Sequence, residues 1–471
     1  MKKLILLLAA FMSMTAVEAK VTLPPLLADD MVLQRDSNVK IWGKTDKGTP
    51  VNVIPSWSGT TYTASPDAEG NWSVEVRTTG AGGPYSIKIS DGEETVLRNI
   101  MLGDVWICSG QSNMEMNMRG FTGQPVENAL NFILESEKFT DIRMFTMKMV
   151  AATTPQEDIP GKWAQASVEN TPRFSATAWF FAKTLNEALG IPIGIIHTSW
   201  GGSTVETWMS RSNIEKYPHF KPEDIKENPK VPYQKPTMLY NAMIYPLRHL
   251  TAKGFTWYQG ESHIKNYQQY PALFADMVKE WRGLFQHMED APFYFVQISP
   301  FSYGDSRKTH SAYLREAQTE CLEVPHTGMA VTMDIGEEFI IHPPKKEIVG
   351  QRLAYQALAK TYNKPIPCDG PVLKEAKAEE GKMLLEFDHA DGGLCPIRTN
   401  LEGFEIAGEN GKFVPAQARV KFGKRMEVWS DKVKQPKYVR YGFRNYTKGT
   451  LYNAYHLPAA SFRTDDFAPE K

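Results

Sequence analysis

From Val105 to about Ala359 the chain alternates short apolar runs with amphipathic stretches, and that alternation limits the fold more than any other feature of the sequence. The runs are "DVWIC", "IRMFTM", "PIGIIHT", "GFTWY", "FYFVQIS" and "GMAVTM". They are short and nearly continuous in apolar character, the pattern of strands buried on both faces. One intervening helix is expected to begin at Ser175 as N-cap, to place Ala178, Phe181, Ala182 and Leu185 on one face, and to stop at Gly190. Another is expected after Pro343-Pro344, with Val349, Leu353 and Ala357 four residues apart. Strands and helices in this order make an α/β domain, a mostly parallel sheet covered on both faces. In such a sheet ligands gather at the carboxyl ends of the strands.

The flanks read differently. Short alternating runs such as "VKIWGK", "VNVIPSW", "NWSVEVRT" and "YSIKIS", broken by Gly, Pro, Asp and Ser, mark residues 20–100 as a small β domain. The β pattern returns over 366–471 with "KMLLEF", "FEIAGE", "RMEVWS" and "YVRYGF", leaving 101–365 to the α/β domain. Three domains suit a chain of 471 residues. The start, "MKKLILLLAAFMSMTAVEAK", has two lysines, a short apolar run and a small-x-small site. It reads as a signal peptide over 1–19, with Lys20 the first mature residue and a periplasmic or secreted protein as product. No later segment is long and apolar enough to span a bilayer. A net charge of -1 gives no reason to expect a nucleic-acid or anionic-membrane partner. Four scattered cysteines make no disulfide framework, and spacing alone leaves open whether Cys368 and Cys395 pair.

The strand ends carry the candidates. After the first comes Ser109-Gly110-Gln111-Ser112-Asn113-Met114-Glu115, in which Ser112 and Glu115 also spell a capping box that would explain both residues without chemistry. After "PIGIIHT" comes Ser199-Trp200-Gly201-Gly202-Ser203, whose glycines make a tight turn or leave a backbone N–H aimed at a ligand. After "GFTWY" comes Gln259-Gly260-Glu261-Ser262-His263, and a loop beyond "GMAVTMD" leads to His342. Ser, Gly, Gln and His thus follow, in order, four strand ends of one sheet and can converge on one cleft. Gly304-Asp305-Ser306 is a polar loop, with too few strands left before His342 to complete a sheet around it.

The segments "CSGQSNMEM", "TSWGGSTVETW", "LYNAMIYPL", "WYQGES", "LREAQ" and "IHPPKKEIVGQRLA", in that order, resemble the sialate O-acetylesterase family of carbohydrate esterases, a branch of the SGNH hydrolases. The likeness extends to "LPPLLADDMVLQR" near the start and "LYNAYHLPAASFRTDDF" near the end. It implies a flavodoxin-like SGNH hydrolase core of three α/β/α layers, flanked by N- and C-terminal sandwich-like β domains, and a serine esterase acting on O-acetylated carbohydrate. By the resemblance Ser112 is the nucleophile, His342 the base, and Gly202 and Gln259 donors to the oxyanion; no metal or cofactor is required.

Two positions depart from the family pattern. Many SGNH enzymes carry Asp three residues before the histidine, where this chain has Phe339, so Asp334, Glu337, Glu338 or a backbone carbonyl is left to orient the imidazole. His263 stands where Asn is expected. Substrate contacts are assigned to Trp200, Glu261, His263, Tyr303 and Arg315, the last either touching a carboxylate or bracing the cleft. Trp208, Trp257, Tyr258 and Phe301 are aromatics whose ordinary fate is core packing. O-acetylated sialic acid is the expected substrate, acetylated xylan the alternative, and an inactive carbohydrate-binding protein the reading from another class.

Overall fold

The computed structural model describes residues 21–218, 220 and 230–468; the expected signal peptide and the junction before Lys20 lie outside them. The six apolar runs all become strands. They are β1 (Glu94–Gly110), β2 (Ile142–Met147), β4 (Ile193–Ser199), β5 (Gly254–Tyr258), β6 (Phe293–Val296) and β7 (Thr327–Ala330), with β3 (Gly161–Gln165) added at one edge. The sheet runs β7-β6-β5-β1-β4-β2-β3, and every pairing except β2 with β3 is parallel.

Counting the parallel strands alone in chain order, the sheet reads 6-5-4-1-3-2. A flavodoxin-like sheet reads 2-1-3-4-5, so the expected order needs correction at its second and third strands. The β2–β3 hairpin occupies the edge, and the chain then returns to lay β4 inside it, directly against β1. β1 therefore lies between β4 and β5, and the chain leaves it on both sides. This is the topological switch point where a cleft opens.

Alternation along β1 sends Val105 and Ile107 to one face and Trp106 and Cys108 to the other, all fully buried. On the second face pack α2 (Ala176–Leu189) and α5 (Lys346–Lys360); on the first pack α3 (Tyr270–Leu284) and α4 (His310–Glu320). The α2 boundaries follow the sequence signals: Ser175 Oγ accepts the N–H of Ala178 at 3.2 Å, and Gly190 ends the helix at φ 66°. Trp257 and Trp281 meet edge to face at 5.7 Å between β5 and α3. Each fully buried aromatic of this kind contributes on the order of 2–3 kcal/mol through removal from water.

β1 is seventeen residues long. Its first half pairs with Gly82–Ser90 and Val32–Gln34 in the N-terminal β region, and its second half is the central strand of the α/β sheet. The boundary expected at residue 100 therefore falls inside a strand. The C-terminal region builds two four-stranded sheets, one from Val372–Glu379, Lys382–Asp388, Arg425–Trp429 and Gln417–Val420, the other around Phe404–Ala407 and Tyr438–Tyr441, on a shared core. All four cysteines are unpaired.

Candidate active site

Three strand ends are level. Gly110 of β1 lies opposite Ser199 of β4 on one side and Tyr258 of β5 on the other. Trp200 N–H donates to Gly110 O at 3.1 Å, and Gln111 N–H donates to Tyr258 O at 2.9 Å. Gly110 has φ 138°, and a Cβ there would fall 2.2 Å from Tyr258 O, so only glycine closes this junction. The loops carrying Ser112, Gly202 and Gln259 consequently start from one place.

Ser112 opens the one-turn helix α1 (Ser112–Glu115), with Gln111 as N-cap and no side-chain cap bond. The capping box is not formed. The Glu115 carboxylate instead accepts the N–H of Gly201 across the cleft, while burial raises its pKa. Among the described residues neither Ser112 Oγ nor the Ser112 N–H has a hydrogen-bond partner, and the latter is one of the orphan donors of a helix start. A Cβ on Gly201 would lie 3.3 Å from Ser112 Cβ and 3.1 Å from Glu115 Oε2. Gly202, at φ 74°, completes the turn closed by Ser203 N–H on Trp200 O, and its own N–H is without a partner among the described residues.

His342 lies on the loop between β7 and α5. Its Nδ1 is 2.7 Å from Gln124 Oε1, and the Phe121 ring meets it edge-on at 5.1 Å. An amide oxygen only accepts, so this contact assigns the proton to Nδ1 and leaves the Nε2 lone pair available. Burial, reinforced by the Lys346 charge, pushes the imidazole down to about 4. No hydrogen bond joins Ser112 Oγ to His342; such bonds are often loose before substrate arrives.

The orienting group is thus none of the expected ones. Asp334 is held by Arg352 at 2.7 and 2.8 Å, Glu338 offers its backbone carbonyl to Ser302 N–H, Glu337 makes no bond to the imidazole, and Phe339 is 82% exposed. Gln124 reaches His342 because Glu127 N–H donates to Pro344 O at 2.9 Å, pinning its loop onto the histidine loop.

Gln259 is fully buried and donates through Nε2 to Ser203 O at 3.1 Å and to His263 Nδ1 at 3.0 Å. Both amide protons are therefore used within the protein, and the expected donation from Gln259 to an oxyanion is corrected on that ground. His263, 1% exposed, places Nε2 3.0 Å from Glu206 Oε2, so it braces Gln259 and makes no surface for substrate. Burial by itself would raise Glu206, but the hydrogen bond it accepts from His263 Nε2–H holds it below the ordinary carboxylate range.

Three other expected substrate contacts turn inward. Glu261 Oε1 accepts from Asn113 Nδ2 at 2.6 Å beneath the Ser112 turn, and its buried Oε2 has no hydrogen-bond partner among the described residues. The Tyr303 hydroxyl is buried too. Arg315 is fully buried and donates to Ser461 Oγ, Ser311 Oγ, Gly442 O and Arg444 O at 3.2, 3.1, 2.9 and 2.6 Å, tying α4 to the C-terminal β region. It is a brace, and burial lowers it to about 10. Arg315→Met removes four donated hydrogen bonds from this buried junction and is expected to cost about 3 kcal/mol of stability. The measurement is the denaturant midpoint, with kcat of the folded variant unchanged.

Trp200 keeps a half-buried ring 5.8 Å from Tyr233, the two forming one wall beside Gly202. Trp208, Trp257 and Tyr258 are core. Gly304-Asp305-Ser306 forms a partly exposed turn in which Asp305 pairs with Arg307. No cluster of His, Cys, Asp and Glu able to hold a metal occurs among the described residues.

Gln124, Asn113, Glu206, Tyr233 and Lys346 all escaped reading from the sequence. Asn113 and Lys346 had a signal, being next to Ser112 and four residues after His342; Gln124 had none, since only the folded loop brings it near.

A family model described as "Carbohydrate esterase, sialic acid-specific acetylesterase" matches residues 102–359, more than half of the chain. Sialate O-acetylesterase of Mus musculus is 28% identical over 422 residues, covering 76% of this chain and 77% of the mouse protein. The Homo sapiens enzyme of the same name is 29% identical over 397 residues, covering 77% and 75%. Among solved structures, a carbohydrate acetylesterase from Xanthomonas citri superposes with a TM-score of 0.86 at 35% identity, over 95% of this chain and all of that one.

Proposed function

This chain belongs to the sialic acid-specific acetylesterase family of carbohydrate esterases and is a carboxylic ester hydrolase acting on O-acetylated carbohydrate, and from that premise we propose that Ser112 is its nucleophile and His342 its base in an SGNH-type site. The observation that carries this reading is that, among the described residues, Ser112 Oγ just beyond the central strand has no hydrogen-bond partner and faces a turn whose Gly202 N–H has none either.

An ester carbonyl needs an activated nucleophile and donors aimed at the oxygen that becomes negative. Ser112 Oγ attacks the acetyl carbonyl while His342 Nε2 takes the proton. Gln124 keeps the other ring proton on Nδ1 throughout, so Nε2 is always the nitrogen that works. The oxyanion is met by two backbone donors, the N–H groups of Ser112 and Gly202. His342 then hands its proton to the departing sugar hydroxyl, and water deprotonated by the same imidazole releases acetate.

Trp200 and Tyr233 supply an apolar face of the kind that sugars stack upon. O-acetylated sialic acid is the substrate this reading favours, in line with the names of the mammalian relatives. Export follows from the signal-like start of the sequence, and among the described residues no helix is long and apolar enough to cross a membrane. The test is acetate release from O-acetylated sialic acid and from acetylated xylan. Faster turnover of the sialic acid is expected; turnover of xylan alone would move the substrate to plant polysaccharide, and release from neither would end the reading.

A further inference from the structure

Beneath the nucleophile turn lies a buried ionic group that the mechanism above does not use. Lys346, the first residue of α5, is fully buried, and its ammonium donates to Asn113 Oδ1. The Asn113 amide donates in turn to Glu261 Oε1 at 2.6 Å and to Ile341 O at 3.3 Å. Asn113 follows Ser112 and Ile341 precedes His342. One carboxamide, oriented by one ammonium, therefore joins the two segments that carry the reacting groups.

We propose that Lys346, acting through Asn113, is a positioning residue for deacetylation, clamping the turn that bears Ser112 to the loop that bears His342. The inference rests on the assignment of Ser112 and His342 made above. A buried cation is costly unless it is paired and hydrogen-bonded, and apolar side chains of the same length would fill the space. What a methionine could not do is fix the Asn113 amide with its oxygen toward α5 and its N–H groups toward Glu261 and Ile341.

The ammonium also acts at a distance. His342 faces Gln124, the Phe121 ring and the Lys346 charge, and that charge opposes protonation of the imidazole. Lys346 itself faces Asn113, Glu261 and, at 5.6 Å, the Tyr258 ring. Glu261 faces Tyr258 and Tyr303 as well. Burial brings Lys346 down to about 7 against the pull of Glu261, so it is charged throughout the acid range in which His342 titrates. Removing it relieves the imidazolium and raises the pH at which the base is lost.

The experiment measures kcat, KM and the pH profile of kcat/KM with 4-nitrophenyl acetate, a minimal ester independent of the sugar, for the full-length protein, Lys346→Met and Lys346→Gln. The expected Lys346→Met result is a fall in kcat of about tenfold with KM little changed, and an acid limb moved up by about one pH unit, the size of effect one nearby charge produces. Lys346→Gln removes the charge but keeps a donor for Asn113 Oδ1, so its limb moves the same way with a smaller fall in kcat; it decides the matter if Lys346→Met does not fold. A fall in kcat with the acid limb unmoved in the folded variants makes Lys346 a stability element and overturns the inference, as does wild-type kinetics in both. Loss of the Ser112 and His342 assignment appears separately, as wild-type turnover that survives Ser112→Ala.

Discussion

Ser112→Ala is expected to lower acetate release by about ten-thousandfold or more, to the level that an oxyanion site and substrate binding alone sustain. Stability should hardly change. Ser112 Oγ has no hydrogen-bond partner among the described residues, so its removal orphans nothing, and surface-like substitutions of this kind stay within about 0.5 kcal/mol. The separation of the two effects is the diagnostic part. Had Ser112 been the cap of its helix, alanine would cost about 1 kcal/mol of stability and leave turnover in place. A fluorophosphonate probe offers the complementary measurement: labelling at Ser112 in the wild type, absent in the variant. Unchanged acetate release by a folded Ser112→Ala protein would remove the serine mechanism altogether.

The second large effect belongs to His342 and separates it from its neighbours. His342→Ala removes the proposed proton acceptor and is expected to cost between about a thousandfold and ten-thousandfold in kcat. Gln124→Ala frees the ring to turn and to exchange tautomers but leaves the base in place, so a loss of about ten- to a hundredfold is expected. Asp334→Ala should do something different in kind. It breaks the buried pair with Arg352, whose side chains are 6% and 5% exposed, and leaves a charge uncompensated at about 3 kcal/mol. The fall is in melting temperature, with kcat of the folded fraction retained. Should Asp334→Ala instead remove activity while Gln124→Ala leaves it intact, the orientation of His342 described above is wrong.

Much of the fold was legible because it depends on patterns that are local or periodic. The six apolar runs all formed strands, and the helix that begins after Ser175 and ends at Gly190 did so through the cap and the left-handed glycine that its sequence announces. The order of strands was not legible in the same way. Placing β4 rather than β2 beside β1 is a choice between two apolar strands of similar length, and nothing local distinguishes them.

In the site, the division follows the same physics. The sequence by itself determined which polar residues stand at strand ends, because the strand–helix alternation puts Ser112, Gly202, Gln259 and His342 after four strands of one sheet whatever their neighbours do. Only the tertiary structure decided what each of them touches. Gln259 loses its free donors to Ser203 and His263, Arg315 is drawn into the C-terminal region, and Gln124 reaches His342 across more than two hundred positions of chain. A hydrogen bond depends on a few tenths of an ångström and on direction, and those are settled by the packing of loops against one another, for which no residue pattern carries a period.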